Sequence, residues 1–386
     1  MSDDGSAGAH EFADIDLSSL PALAQKALAR DAPRPLRLLA ARGVVPGLKP
    51  GEIVQVVSVL VGSDDPELSA TATKALQNLP PPILEGALGQ DLPASVIDRL
   101  ARSHVNAHQV LEQLLRMPRI GDATLQFLAQ SADEKSGELI ATNEQLMLAH
   151  PAVIEKLYMN KRVRMSTADR LVELAVRHEL ELGIPAYKEA AAAIRNELVP
   201  EPTQEPTYDD ILFAEIDRTA NEAEPLNEDE DAFEVDDEGE EKLRQKFVPL
   251  HVLIGQMTIT QKIRRAILGS AVERLMLVRD ANRLVSQAAV KSPNMREGEA
   301  IQISASRAVS EDVLRIIAQN RDFVRHYQVK LNLVSNPRTP LTFAARLLPH
   351  LRDNDVRTLS KSKNVSGSIV QAARQQLQRK QGKKGD

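Results

Sequence analysis

One phrase occurs twice in the C-terminal third of the chain, and it constrains the fold more than any other feature. Ile303-Ser-Ala-Ser-Arg-Ala-Val-Ser310-Glu-Asp-Val-Leu314 is echoed by Leu359-Ser-Lys-Ser-Lys-Asn-Val-Ser366-Gly-Ser-Ile-Val370, at an offset of 56 residues. A shorter echo pairs Val290-Lys-Ser-Pro293 with Val334-Ser-Asn-Pro337, at an offset of 44. Each phrase reads as the end of one helix, a polar turn, and the cap and first turn of the next. A chain that repeats its helix junctions repeats its packing, so the spacing predicts a helical repeat.

The same grammar runs through the N-terminal half. Leu20, Leu23, Ala24, Ala27 and Leu28 share a helical face, and Pro33 and Pro35 end that helix. The β-branched run Ile53 to Val61 suits a buried strand or a buried helix, and its helical neighbours favour helix. Glu67–Leu79 reads as a helix capped by Asp64 or Asp65. The turns at Leu79-Pro-Pro-Pro-Ile83, Leu92-Pro-Ala-Ser-Val96, His150-Pro-Ala-Val153 and Arg164-Met-Ser-Thr167 each lead into another helix. Many short helices with short turns describe an α-solenoid better than a bundle of fewer, longer ones.

Composition supports the same class. Aromatics make up 3% of the chain and Trp is missing, so the core has to come from Leu, Ile, Val and Ala. Cys is missing as well, which excludes disulfides, thiolate metal sites and thiol catalysis. The polar, acidic start lacks the pattern of a signal peptide, and the longest apolar run is about half of the ~18 residues a membrane span needs. The expectation is a soluble, cytoplasmic protein without a membrane partner.

The net charge of −6 conceals a strong layout. Residues 205–241 hold 17 acidic side chains and one basic one; residues 242–386 hold 27 basic and 10 acidic. The expected organisation is therefore a disordered N-terminus (1–12), an N-terminal repeat domain (13–199), an acidic and mostly disordered linker (200–245), a basic C-terminal repeat domain (246–378) and a basic tail (379–386). Within the linker, Tyr208, Ile211, Leu212, Phe213 and Ile216 form a short amphipathic segment at 208–217. It is either a helix that packs back on its own domain or a docking segment for another protein.

Leu333-Val-Ser-Asn-Pro-Arg-Thr-Pro-Leu341 and Leu359-Ser-Lys-Ser-Lys-Asn-Val-Ser366 resemble the helix–turn–helix junctions of HEAT-like repeats. They are similar in particular to the bacterial leucine-rich-repeat-variant subgroup, with its Asn-Pro-x-Thr-Pro turn. The resemblance is best over 280–378, weaker over 65–198, and departs from the family in its irregular repeat length. It implies an all-α fold, an α-solenoid of short HEAT-like helical repeats in two blocks, and a binding scaffold. The turn brings no chemistry with it.

No nucleotide-binding glycine loop and no nucleophile elbow occurs in the sequence. His104 and His108 are spaced as a metal pair on one helical face, but no third ligand follows them. The expectation is that the chain is not an enzyme and uses no cofactor or metal. The remaining chemical signal is basic. Lys262, Arg264 and Arg265, then Arg321, Arg325 and Lys330, then Arg357, Lys361 and Lys363 could line one face of a solenoid. Such a face would attract an acidic protein or, through residues 246–386, nucleic acid. It could also meet the chain's own acidic linker. The first expectation is a scaffold or adaptor for another protein. The alternative is a nucleic-acid binder in which the linker competes for the basic face.

Overall fold

The computed structural model describes residues 14–29, 31–199, 201–222, 232–235 and 240–382. The expected disorder at 1–12, most of the acidic run 227–241 and the end of the tail lie outside these residues. Among them the chain forms 25 α-helices and one two-stranded ribbon. It divides into two compact units, Met1–Thr167 and Ala168–Asp386.

In the first unit the helices follow the punctuation of the sequence. Pro50, Pro66, Pro81 and Pro151 each open a helix, where the missing N–H leaves nothing unpaired. Asp65 caps Pro66–Gln77 by accepting from the N–H groups of Glu67 and Leu68 at 3.0 and 3.4 Å. The β-branched run is helical: Pro50–Val61 buries Val54, Val56, Val57 and Leu60. It packs on Pro66–Gln77 and Pro81–Leu88, its neighbours in sequence. Ala24, Ala27, Ala40, Ala41, Ala72, Ala87, Ala101 and Ala129 are fully buried. Small side chains let helix axes approach, which is how a core with few aromatics is filled.

The second unit begins inside helix Met165–Arg177, not at the expected boundary of 199/200. The reason is packing: Tyr187–Ile194 lies against Ile259–Leu268 and Arg283–Val290. Helix Ile259–Leu268 is the centre of this unit, with every residue from Thr260 to Leu268 buried except Lys262. A capping box opens it, Thr258 Oγ1 accepting from Gln261 N and Gln261 Oε1 from Thr258 N. Ser270 and Glu273 form a second box before Ala271–Leu277. Parts of the expected linker are ordered in this unit. Tyr208–Glu222 is a helix on Val248–Gly255, and Phe233–Val235 pairs antiparallel with Glu241–Leu243.

The repeated phrases form matching junctions. Ser304 Oγ donates to Ile301 O, and Ser360 Oγ donates to Arg357 O, each three residues back. Ser306 Oγ accepts from Ala308 N, and Ser362 Oγ accepts from Asn364 N. A further device stitches successive helices. The buried Asn336 side chain donates to Ser304 O at 3.0 Å and Ser306 O at 2.7 Å, and accepts from Arg338 N. In the first unit Asn160 does the same with Ala129 O, Ala132 O and Arg162 N. Each side chain satisfies carbonyls that a helix end leaves orphaned.

Candidate anion-binding site

The nine basic residues expected to share one face have three different fates. Lys262, Arg264 and Arg265 do not form an open face, and this corrects the expected stripe. Lys262 Nζ is 2.9 Å from Asp280. Arg264 is 0% exposed and Arg265 2%. Arg265 is held by Glu273 at 2.6 Å and by Asp217 of the linker helix at 2.8 Å. The Phe213 ring lies 5.1 Å from both guanidinium carbons. The helix that carries these cations faces the core, so they need carboxylates and an aromatic face supplied from within the unit.

The same contacts account for most of the amphipathic segment. Leu212, Phe213 and Ile216 are buried against the unit. Tyr208 and Ile211 stay open, at 68% and 57% exposure, and the Tyr208 hydroxyl reaches Gln256 Oε1 at 3.3 Å. Packing back on its own unit is thus what three of the five residues do.

Arg321, Arg325 and Lys330 come together in a concave site. Asn320 leaves helix Glu311–Gln319 in an extended conformation and caps the short helix Arg321–Val324 by accepting from Asp322 N at 2.9 Å. Arg321 and Arg325 then fall one turn apart on the same side. Lys330 enters from Tyr327–Ser335. A fourth cation, Arg346, comes from Leu341–Leu347. Its guanidinium lies 5.2 Å from the Phe343 ring centroid and donates to Ala318 O at 3.2 Å. These four, with Ala318, Gln319, Asn320 and Val324, line a cavity of about 500 Å³. No lining residue is acidic. Among the described residues none of the four cations has a carboxylate within 4.0 Å. Like charges gathered in a concavity focus potential outward toward an anion. Sequence reasoning missed Arg346, because a residue on the helix after that of Lys330 joins the site only through the packing of Leu341–Leu347.

The third group, Arg357, Lys361 and Lys363, is exposed and lies outside this cavity. Arg357 Nη1 reaches Asn354 Oδ1 at 3.5 Å.

A second anion seat, already filled from within, lies in the same unit. Glu241 Oε2 accepts from Arg279 Nε at 3.0 Å, Arg279 Nη2 at 2.8 Å and Ser306 Oγ at 2.8 Å; its Oε1 accepts from Arg307 N at 3.0 Å. The Phe233 ring covers the Arg279 guanidinium at 3.8 Å. Burial raises the Glu241 carboxyl, but the Ser306 hydroxyl, Arg279 and the Arg307 N–H outweigh it and hold it below its ordinary value. A repeated junction, Ser306-Arg307, therefore acts as an anion receptor in this fold.

The histidine pair is divided between separate partners: His104 Nε2 lies 2.9 Å from Leu76 O, and His108 Nε2 lies 3.6 Å from Asp133. A larger cavity of about 800 Å³ is lined by Val176, Leu180, Leu182, Tyr187, Ala192 and their neighbours. Its border holds Glu179 and Ala186, the two non-glycine residues with positive φ among those described, at 54° and 56°. Comparison with protein-family models, with characterised proteins and with solved structures finds no match.

Proposed function

We propose that the chain is a non-enzymatic scaffold: an α-solenoid of HEAT-like repeats that holds an acidic partner protein on its C-terminal repeats. The observation that carries this reading is the four-cation cavity of Arg321, Arg325, Lys330 and Arg346, whose charges have no carboxylate partner among the described residues. The recurrent junctions at Ser306/Ser362 and Asn160/Asn336 support a repeat architecture. Solenoids of that kind present such cavities on a stiff surface.

Nucleic acid is the second reading, and the exposed Arg357, Lys361 and Lys363 favour it. Against it, the cationic stripe is interrupted where Arg264 and Arg265 turn into the core, and the Phe343 face is taken up by Arg346. A reader of single strands needs open aromatic faces and a continuous track.

Fluorescence anisotropy of the full-length protein decides between them. A labelled acidic peptide is expected to bind at low salt and to lose affinity at least ~10-fold in the Arg325→Glu/Lys330→Glu variant, the scale of two lost charge-assisted contacts. Tighter binding of an oligonucleotide, unaffected by that variant, would move the function to nucleic acid. Deleting the linker is the wrong test, because Asp217 and Glu241 are structural partners of Arg265 and Arg279.

A further inference from the structure

We infer that the Arg321–Arg346 cavity is a recognition site for a phosphorylated side chain of the partner protein, an inference that rests on the scaffold reading and narrows it. Charge count comes first. Four cations converge on about 500 Å³ with no acidic residue in the lining. A carboxylate brings one negative charge and two acceptor oxygens. A phosphate monoester brings about −1.5 to −2 and three acceptor oxygens at neutral pH. Three of the four cations are arginines, whose planar forks take phosphate oxygens two at a time.

The internal comparison points the same way. Where this unit holds a carboxylate, at Glu241, it uses one arginine, one hydroxyl and one backbone N–H. The cavity offers four cationic side chains, far more than a carboxylate uses in the same fold. The site is also built. Arg346 is fixed by Ala318 O and by the Phe343 ring, and Arg325 Nε is 3.2 Å from His326 Nε2. Asn320 sets the turn from which Arg321 and Arg325 project. Held side chains lose less freedom on binding than free surface lysines do.

A phosphoprotein is favoured over a nucleic-acid backbone because the charge is gathered in one cavity. Several cations that come before it in this unit are bound to carboxylates: Arg274 to Glu299, Arg279 to Glu241, Arg283 to Asp312, and Arg315 to Glu311 and Asp312. A backbone phosphate would need successors at regular steps. A single phosphorylated side chain needs one local cluster of charge, with apolar and polar neighbours such as Val324 and Gln319 beside it.

The test uses the full-length protein and four probes: a degenerate peptide library centred on phosphoserine, its unphosphorylated copy with glutamate at the centre, inorganic phosphate, and a single-stranded oligonucleotide. The phosphorylated library is expected to bind at least ~10-fold tighter than the glutamate copy. That margin should disappear in Arg325→Gln and in Arg346→Gln, with thermal melts unchanged for Arg325→Gln. Equal binding of the two libraries, still lost in Arg325→Gln, would overturn the phosphate inference and leave the scaffold reading standing. Binding of inorganic phosphate without either library would overturn both, and point to a small phosphorylated ligand. Displacement of the phosphorylated library by a ~10-fold lower concentration of oligonucleotide would assign the cavity to nucleic acid instead.

Discussion

Helix Ile259–Leu268 and the junction around Asn320 carry the same residue types and use them in opposite ways. Around the first, three arginines are answered by carboxylates: Arg265 by Glu273 and Asp217, Arg274 by Glu299, Arg279 by Glu241. Around the second, Arg321, Arg325, Lys330 and Arg346 face a cavity with no acidic lining. Charge density along the sequence is similar in the two regions. What separates them is whether another element of the fold brings a carboxylate. A cation that must be buried constrains the fold, because leaving it unpaired is costly; a cation that stays open places no such demand on it.

The largest expected effect tests that division directly. Arg265→Met strands the Glu273 carboxylate, which is 0% exposed, and should cost about 3–5 kcal/mol in urea unfolding. Arg274→Met strands Glu299 with the same sign and similar size. Arg325→Ser should change stability by less than about 0.5 kcal/mol, as for an ordinary surface position. If the two classes of variant destabilise equally, the open cavity is structural and the contrast fails.

Next in size are the stitching asparagines. Asn336→Ala and Asn160→Ala each remove two donated bonds and one accepted bond, and leave buried carbonyls unpaired. A loss of about 2–4 kcal/mol is expected in either case, read from denaturant melts. Similar losses at 160 and 336 would show that both units use one junction chemistry, although only the second unit carries the open cavity.

The sequence foretold some of this and concealed the rest, for physical reasons. Prolines at helix starts and the Asp65 cap are local rules, so they were legible. The Ile53–Val61 ambiguity was settled by neighbouring helices, as local context suggested. The burial of Arg264 and Arg265 was not legible, since an arginine's fate depends on carboxylates as far away as Asp217. The boundary at Thr167/Ala168 was hidden because helix Met165–Arg177 runs through it without any break in composition. Asn160 could have been found: Asn160-Lys-Arg162 and Asn336-Pro-Arg338 share an Asn-x-Arg turn, shorter than the longer echoes of the C-terminal third.

A pH effect sharpens the buried side of the comparison. Asp169 and Glu197 share Thr260, whose Oγ1 lies 3.4 Å from one carboxylate and 2.7 Å from the other. The residue Asp169 keeps some solvent contact, but its carboxylate is enclosed. Burial first, and the Glu197 charge second, push it well above its ordinary value of 3.8, against the pull of Arg264. Because the folded carboxyl holds its proton longer than the unfolded one, the stability it contributes is fully present below the unfolded value. That stability is lost as pH rises from there through the folded value. Asp169→Asn should therefore flatten the fall in stability as pH rises from about 4, measured by melts across that range. An unchanged slope would mean that Arg264 compensates this carboxylate after all.

The smallest effect concerns the larger cavity. Helix Met165–Arg177 ends in a left-handed turn in which Leu180 N donates to Ala175 O at 2.9 Å and Glu179 N to Val176 O at 3.2 Å. That closure places Glu179 at φ 54°, a conformation glycine adopts freely and a side chain resists. Glu179→Gly keeps both bonds and removes the strain, while loosening the unfolded chain. A net gain of about 0.5–1 kcal/mol is expected in thermal unfolding. Glu179 borders the cavity lined by Leu180, Leu182 and Tyr187. A gain in stability would make that border a tolerated imperfection of helix termination. No gain, or a loss, would mean that the Glu179 carboxylate holds the border together, and the larger cavity would then join the closed, internally answered side of the molecule.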